Sequence, residues 1–272
     1  MPELPEVETI RRDLLPIVVG RSITEAWVSP NAPRLIQLLP LDEFCRQIAG
    51  RRIEDIERRG KYLLFRLGGG LTWGVHLRMT GRLLHDTSAC PESPYLRATF
   101  RLDDGASLCF VDLRKFGTMW LVDDEALMWS KLGPEPLGEE FTPAYLHALL
   151  KRRSGPIKGA LLDQKAIAGI GNIYADEALF IAGISPKRAA NTLSKRRVER
   201  LHAAIRDALE LALGDRGSSF RDYLDPRGRE GGHQLKVKVF RRTGLPCYVC
   251  GSEIKRAKVA GRSTHFCPKC QR

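Results

Sequence analysis

Met1-Pro2-Glu3-Leu4-Pro5-Glu6 sets an imino acid one helical turn from two carboxylates. If Met1 is trimmed, the chain starts with the secondary amine of Pro2. An α-amino group titrates near pH ~8 against ~10.4 for lysine, so part of it is an unprotonated nucleophile at neutral pH. A secondary amine that adds to an aldehyde-like carbon gives a positively charged iminium, an electron sink for elimination. Glu3 is close enough in sequence to move protons for it. The same residues also make an ordinary helix start, with Pro2 and Pro5 as caps and Glu3, Glu6 and Glu8 complementing the dipole. Both readings stand on these residues alone.

The second chemical signal is Cys247-x-x-Cys250 and Cys267-x-x-Cys270, sixteen residues apart, the spacing of a zinc ribbon. Two thiolate pairs on turns hold one tetrahedral Zn²⁺, and the segment between them returns as a hairpin. Four thiolates leave no open coordination position, so this metal is structural. A fragment this small lacks the core to fold without it. Ala260-Gly261-Arg262-Ser263 falls at the hairpin tip, which leaves Arg262 away from the metal and able to reach a phosphate. Cys45, Cys90 and Cys109 are scattered and read as inert packing thiols. An odd total of seven cysteines, with no export signal at the acidic start, favours reduced thiols and metal over a disulfide framework.

These groups need a scaffold. A chain of 272 residues is long enough for about two domains. Lys+Arg 44 against Asp+Glu 32 leaves a net charge of +12, which points to a polyanion, nucleic acid ahead of membrane. No apolar run approaches the ~20 residues of a membrane span. Val7, Ile10, Leu14 and Val18 repeat at helical spacing behind Pro5. Tyr62 to Leu67, Leu71 to His76, Arg97 to Leu102, Ser107 to Val111 and Thr118 to Val122 read as short strands of a sandwich or barrel, with hairpin signals at Gly68-Gly69-Gly70 and Asp104-Gly105. His76-Leu77-Arg78-Met79 and Asp112-Leu113-Arg114-Lys115-Phe116 end strands with apolar and cationic side chains where solvent is expected, as wedges for a base stack do.

After a linker at 132–138 the pattern turns helical. Helices are expected behind Thr142-Pro143, behind Ser154-Gly155-Pro156, from Asn172 to Ile181, and from Ser194 to Gly214. Gly169-Ile170-Gly171-Asn172 is either a phosphate-accepting helix start or a tight turn with an ordinary cap. Residues 215–232, polar and glycine-rich, read as a mobile lid.

Met1 to Thr9, Gly169-Ile170-Gly171-Asn172-Ile173-Tyr174-Ala175-Asp176-Glu177 and the Cys247 to Arg272 ending, in that order, closely resemble bacterial formamidopyrimidine-DNA glycosylase. Leu4, where the endonuclease VIII group typically carries Gly, favours the purine-directed branch. The resemblance implies an α+β multidomain fold. Residues 1–131 would form a catalytic β-sandwich domain with the N-terminal helix. Residues 132–232 would form a helix-two-turn-helix domain with a lesion-capping loop at 215–232, and 233–272 a zinc-ribbon β-hairpin, with DNA in the cleft between domains.

The implied activity is excision of oxidised purines, 8-oxoguanine and formamidopyrimidines, through an N-terminal proline Schiff base, followed by strand cleavage by β,δ-elimination. Pro2 would attack C1′, and Glu3 would donate a proton as the sugar opens. Glu6 would support them, and Lys61 would hold phosphates and assist elimination. His76, Lys158, Asn172 and Arg262 would contact phosphate or substrate, Arg262 with a catalytic part. Met79, Arg114 and Phe116 would fill the gap left by the flipped lesion and probe the orphaned cytosine. Ser218, Ser219, Arg221 and Tyr223 lie on the capping loop. Cys247, Cys250, Cys267 and Cys270 would hold one structural Zn²⁺. The expected partner is double-stranded DNA with an oxidised purine or abasic site, bound by a monomer in the bacterial cytoplasm, with no membrane association. Two features depart from the pattern: Phe240-Arg241 stands where Tyr-Gly is usual, and His233 where Phe is common. A DNA-binding zinc-ribbon protein without chemistry, and an enzyme directed at oxidised pyrimidines, are the competing readings.

Overall fold

A computed structural model describes residues 2–86, 90, 92–129, 131–220 and 222–272. Contacts divide the chain into two compact units, one of residues 1–130 with 215–234 and one of 131–214 with 235–272. The first unit opens with helix α1 (Leu4–Val18), capped by Glu3, so that Leu4 holds the first helical position and Pro5 the second. Leu4, Val7, Ile10, Leu14 and Val18 are buried, the stripe that helical spacing predicts. Glu8, on another face, takes Arg11, Arg12 and Arg58, which fastens the helix to strand β2 (Ile53–Arg59).

The sheets are two four-stranded antiparallel layers. One runs β1 (Ile23–Val28), β6 (Leu96–Leu102), β7 (Ser107–Asp112), β5 (Gly81–Asp86). The other runs β2, β3 (Tyr62–Leu67), β4 (Leu71–His76), β8 (Thr118–Val122). Trp73 of β4 meets Phe100 of β6 at 4.3 Å between ring centroids and stacks on Phe65 at 4.4 Å, so the layers share one core and form the expected sandwich. Aromatic pairs of this kind add about 0.5–1.5 kcal/mol each beyond area burial. Helix α2 (Leu41–Ile48) closes one side through Phe44 and Ile48.

The strand ends matter most for the site. His76 closes β4 opposite Tyr62 and Thr118. Asp112 closes β7 opposite Gly81. Cys90 and Cys109 are joined in a disulfide with Cα atoms 5.6 Å apart, which corrects the reading of both as inert thiols; nothing in their sequence spacing brings them together.

The second unit holds helices α3 (Pro143–Lys151), α4 (Ile157–Leu162), α5 (Asn172–Ile181) and α6 (Lys195–Gly214), then the hairpin β9 (Lys255–Val259) and β10 (Arg262–Phe266). Thr142 caps α3 through Tyr145 N–H, as expected. Helix α5 ends at Gly183 with φ +62°, and Ile184 N–H reaches back to Leu179 O, a left-handed stop that glycine adopts without strain. No helix among the described residues is long and apolar enough to cross a membrane.

Candidate active site

The start of α1 is a closed polar device in an apolar setting. Pro2 is buried, as are Glu3 and Glu6. Glu3 caps the helix, and its own N–H donates to Glu6 Oε2 at 2.7 Å. The other Glu6 oxygen, Oε1, accepts Ser218 N–H at 2.8 Å. One carboxylate therefore binds both the residue after Pro2 and the polar stretch 215–234. A Cβ on Gly217 would lie 2.8 Å from Glu6 Oε1, and Gly217 sits at φ +79°, so only glycine lets the chain pass there.

That stretch, expected as a mobile lid, is tied to the first unit along its length. Arg216 bridges Asp13 and Asp225, Arg82 donates to Asp222 O, His85 N–H donates to Pro226 O, and Tyr223 is buried in the sandwich core. Ser219 N–H donates to Gln234 and its hydroxyl to Tyr223 O. Arg221 lies outside the described residues.

Lys61 is buried in the turn between β2 and β3. His76 is buried, and its Nδ1 accepts Arg78 N–H at 2.9 Å. Burial first, then the Arg78 and Lys61 charges, hold the imidazole well below its ordinary pKa. His76 is thus neutral at pH 7 with its hydrogen on Nε2, a donor suited to a phosphate oxygen.

Met79 forms one cluster with Arg114 and Phe116, which lie 35 and 37 residues further along the chain. The Arg114 guanidinium lies 4.6 Å from the Phe116 ring centroid and within 3.2 Å of Met79 Sδ. Met79 and Phe116 are 38% and 47% exposed, so the cluster presents its apolar side chains to solvent. Sequence reading missed the residue that organises them. Asp112 is buried and accepts from Thr80 Oγ1, Arg114 N–H and Gly117 N–H, locking both loops together. An aspartate directly after the apolar run of β7 was the available signal.

In the second unit Asn172 does not cap α5. Gly171 holds that position, and Asn172 Nδ2 donates to Ser263 O at 2.9 Å. Lys158, read as a phosphate or substrate contact, is fully buried. Its ammonium donates to Ser263 O and Thr264 Oγ1 and pairs with Asp176 at 2.6 Å. Two of these partners lie on the strand that begins with exposed Arg262, and Asp176, on α5, also accepts His265 N–H from that strand. Glu177 accepts the N–H groups of Lys238, Val239 and Phe240. Two carboxylates inside an otherwise apolar helix were the signal for both anchors.

The chain matches the family described as the N-terminal domain of formamidopyrimidine-DNA glycosylase over residues 1–119, that enzyme's H2TH domain over 132–223, and the zinc finger found in FPG and IleRS over 244–272. The formamidopyrimidine-DNA glycosylase of Pelotomaculum thermopropionicum is 47% identical over 276 residues, covering 100% of this chain and 99% of that one. The chain belongs to the formamidopyrimidine-DNA glycosylase family. Solved structures agree. A Lactococcus lactis FPG variant in complex with a Fapy-dG containing DNA superposes with TM-score 0.92 at 38% identity, over 99% of each chain. The MutM (FPG) protein of Thermus thermophilus gives 0.90 at 42%, over 99% of this chain and 98% of that one.

Both departures from the family pattern find a place. Arg241 takes a left-handed φ of +59° where the family usually has glycine. Phe240 is buried and packs edge-on to His265 at 5.0 Å, so the missing hydroxyl leaves no hole. His233 is buried with Nδ1 3.0 Å from Asp215 Oδ2, a polar pairing where the family's phenyl ring would be apolar.

The family's zinc finger fits the four cysteines of this chain. Their Sγ atoms all lie within 4.8 Å of one another, with Cys250–Cys267 at 3.4 Å and Cys247–Cys270 at 3.9 Å. A tetrahedral Zn²⁺ with bonds of ~2.3 Å sets such edges near ~3.8 Å. Val249 N–H and Cys270 N–H point at Cys247 and Cys267 sulfur, as donors to thiolates do. One zinc is structural here, for the local core is only Phe180, Val239, Ile254 and two of the ligands themselves. Stripping it is expected to unfold residues 244–272. Elemental analysis should find one zinc per chain, and a strong chelator with mild denaturant should release it together with the amide protection of β9 and β10. Protection that survives complete metal loss would contradict a structural role.

Proposed function

We propose that this chain is a DNA glycosylase and abasic-site lyase of base excision repair that removes oxidised purines. The observation that carries the reading is the Glu6 carboxylate, which holds the backbone beside Pro2 and the 215–234 stretch at once. The relatives support the same direction: besides the Fapy-dG complex, a Lactococcus lactis Fpg complex holds an abasic site containing DNA, at TM-score 0.91 and 37% identity.

In this reading the Pro2 amine, freed of Met1, adds to C1′ as the damaged base departs, and the iminium that forms acidifies the neighbouring C2′ hydrogen. Glu3, buried at the positive end of α1, delivers the proton that opens the sugar. Lys61 and His76 clamp flanking phosphates, the latter through Nε2–H. Met79, Arg114 and Phe116 enter the stack vacated by the flipped nucleotide, with Arg114 facing the orphaned base. Residues 215–232 cap the lesion, with Ser218, Ser219 and Arg221 on the capping loop and Tyr223 anchoring that loop in the sandwich core. Arg262 and Asn172 add phosphate contacts, Arg262 also serving the later elimination. Lys158 acts from within, holding β10. The protein works as a monomer on chromosomal DNA in the cytoplasm.

Parallel assays on duplexes bearing 8-oxoguanine, thymine glycol or an abasic site test this. Cleavage of the 8-oxoguanine and abasic strands, with thymine glycol slower, is expected. Binding without cleavage would favour the zinc-ribbon binder, and a preference for thymine glycol would favour the pyrimidine enzyme.

A further inference from the structure

We propose that Arg216 is a positioning residue for the capping loop, set by Asp13 of α1 on one side and Asp225 of the loop's returning limb on the other; this rests on the lesion-capping reading of 215–232. Arg216 bonds both Asp13 oxygens through Nη1 and Nη2, the former at 3.1 Å, and Nη2 also reaches Asp225 Oδ2 at 2.7 Å. Asp225, buried, gathers the N–H groups of Arg227 and Arg229 as well, so it shapes the turn of the returning limb. One guanidinium therefore joins the outgoing limb, the returning limb and the helix that directly follows Pro2 and Glu3.

Two observations say that this contact sets a position. Asp13 and Glu6 are seven residues apart on α1, about two turns, and they bind Arg216 and Ser218, which are two residues apart on the loop. Two fixed points along one helix define both place and direction of the segment leading to Ser218 and Ser219. In addition, Arg216 sits at φ +62°, directly before Gly217 at +79°. Glycine suits such a position and arginine is strained there, so a long side chain there is held against backbone preference by the two carboxylates it joins. Abasic DNA carries no base to cap, so a misplaced loop should impair base excision and leave cleavage at a ready-made abasic site intact.

The test uses the full chain with Arg216→Gly, which removes the guanidinium while relieving the backbone, and Asp13→Asn. Single-turnover excision of 8-oxoguanine should fall about tenfold or more, the scale of a small misplacement at a reacting centre. Abasic-site cleavage should stay within about twofold, because its chemistry needs no cap. Amide exchange at Ser218, Ser219 and Tyr223 should accelerate, and Arg216→Lys should recover part of the excision rate. Equal loss on both substrates, or unchanged excision, would overturn the assignment. A wild-type chain that cleaves abasic DNA yet never excises 8-oxoguanine would remove the lesion-capping reading and this inference with it. Should the wild type cleave neither, the proposed function fails on its own; faster exchange in Arg216→Gly would still establish the tether, and unchanged exchange would refute it.

Discussion

A chain whose Pro2 nitrogen is blocked by an unprocessed residue in front of it is expected to bind lesion DNA and cleave none of it. Acylation turns the secondary amine into an amide nitrogen, whose lone pair is delocalised into a carbonyl, so no iminium can form. Loss of a covalent nucleophile costs at least about a thousandfold in rate. Affinity should survive, since the phosphate contacts proposed for Lys61, His76, Asn172 and Arg262 do not involve that nitrogen. Gel shift and strand cleavage on one protein sample separate the two effects. Wild-type cleavage by the blocked chain would move the chemistry to another amine, with buried Lys61 the nearest candidate in function.

Lys158→Met is expected to lower the stability of the second unit by about 3–5 kcal/mol, the cost of leaving one member of a buried ion pair alone. Lys158 and Asp176 side chains are both fully buried and 2.6 Å apart. Removal of the ammonium strands the Asp176 carboxylate, although His265 N–H still donates to its other oxygen. Adding Asp176→Leu should restore much of the loss, because two apolar groups leave no unpaired charge. All four tryptophans, Trp27, Trp73, Trp120 and Trp129, belong to the first unit. Urea unfolding followed by far-UV circular dichroism, with tryptophan fluorescence as the internal control, therefore localises the effect. If Lys158 instead served substrate directly, Lys158→Met would impair cleavage and leave the helical transition unmoved.

Much of this was legible because local chemistry and global fold agree. The strands from Tyr62 and from Leu71 fall on their expected residues, since glycines mark the turn between them and both are apolar runs. Strand β2 was not legible. Its buried Ile53 and Ile56 are three apart because the register shifts between Ile53 and Asp55, so its apolar spacing imitates a helix. Helix α2 escaped for want of a polar cap, Pro40 standing at that position.

Within the site, the four cysteines were visible by type and spacing, as were Pro2 and Glu3, the residues proposed for the chemistry. Residues that act by pairing across the chain were not. Asp112, Asp176 and Glu177 bind backbone and side chains that only the fold brings near, and Asp13 meets Arg216 across more than two hundred positions. Lys158 shows how type and place can point different ways. A lysine in a sequence read as basic looks like a phosphate ligand, and this one is fully buried against Asp176.

The proposed mechanism turns on a covalent bond between the first nitrogen of the mature chain and deoxyribose. Borohydride reduction during reaction with an 8-oxoguanine duplex, followed by proteolysis and mass spectrometry, should give a stable adduct on the peptide that begins at Pro2, diminished in Glu3→Gln. Efficient strand cleavage with no reducible adduct, or an adduct mapped to a lysine, would contradict a proline-centred mechanism.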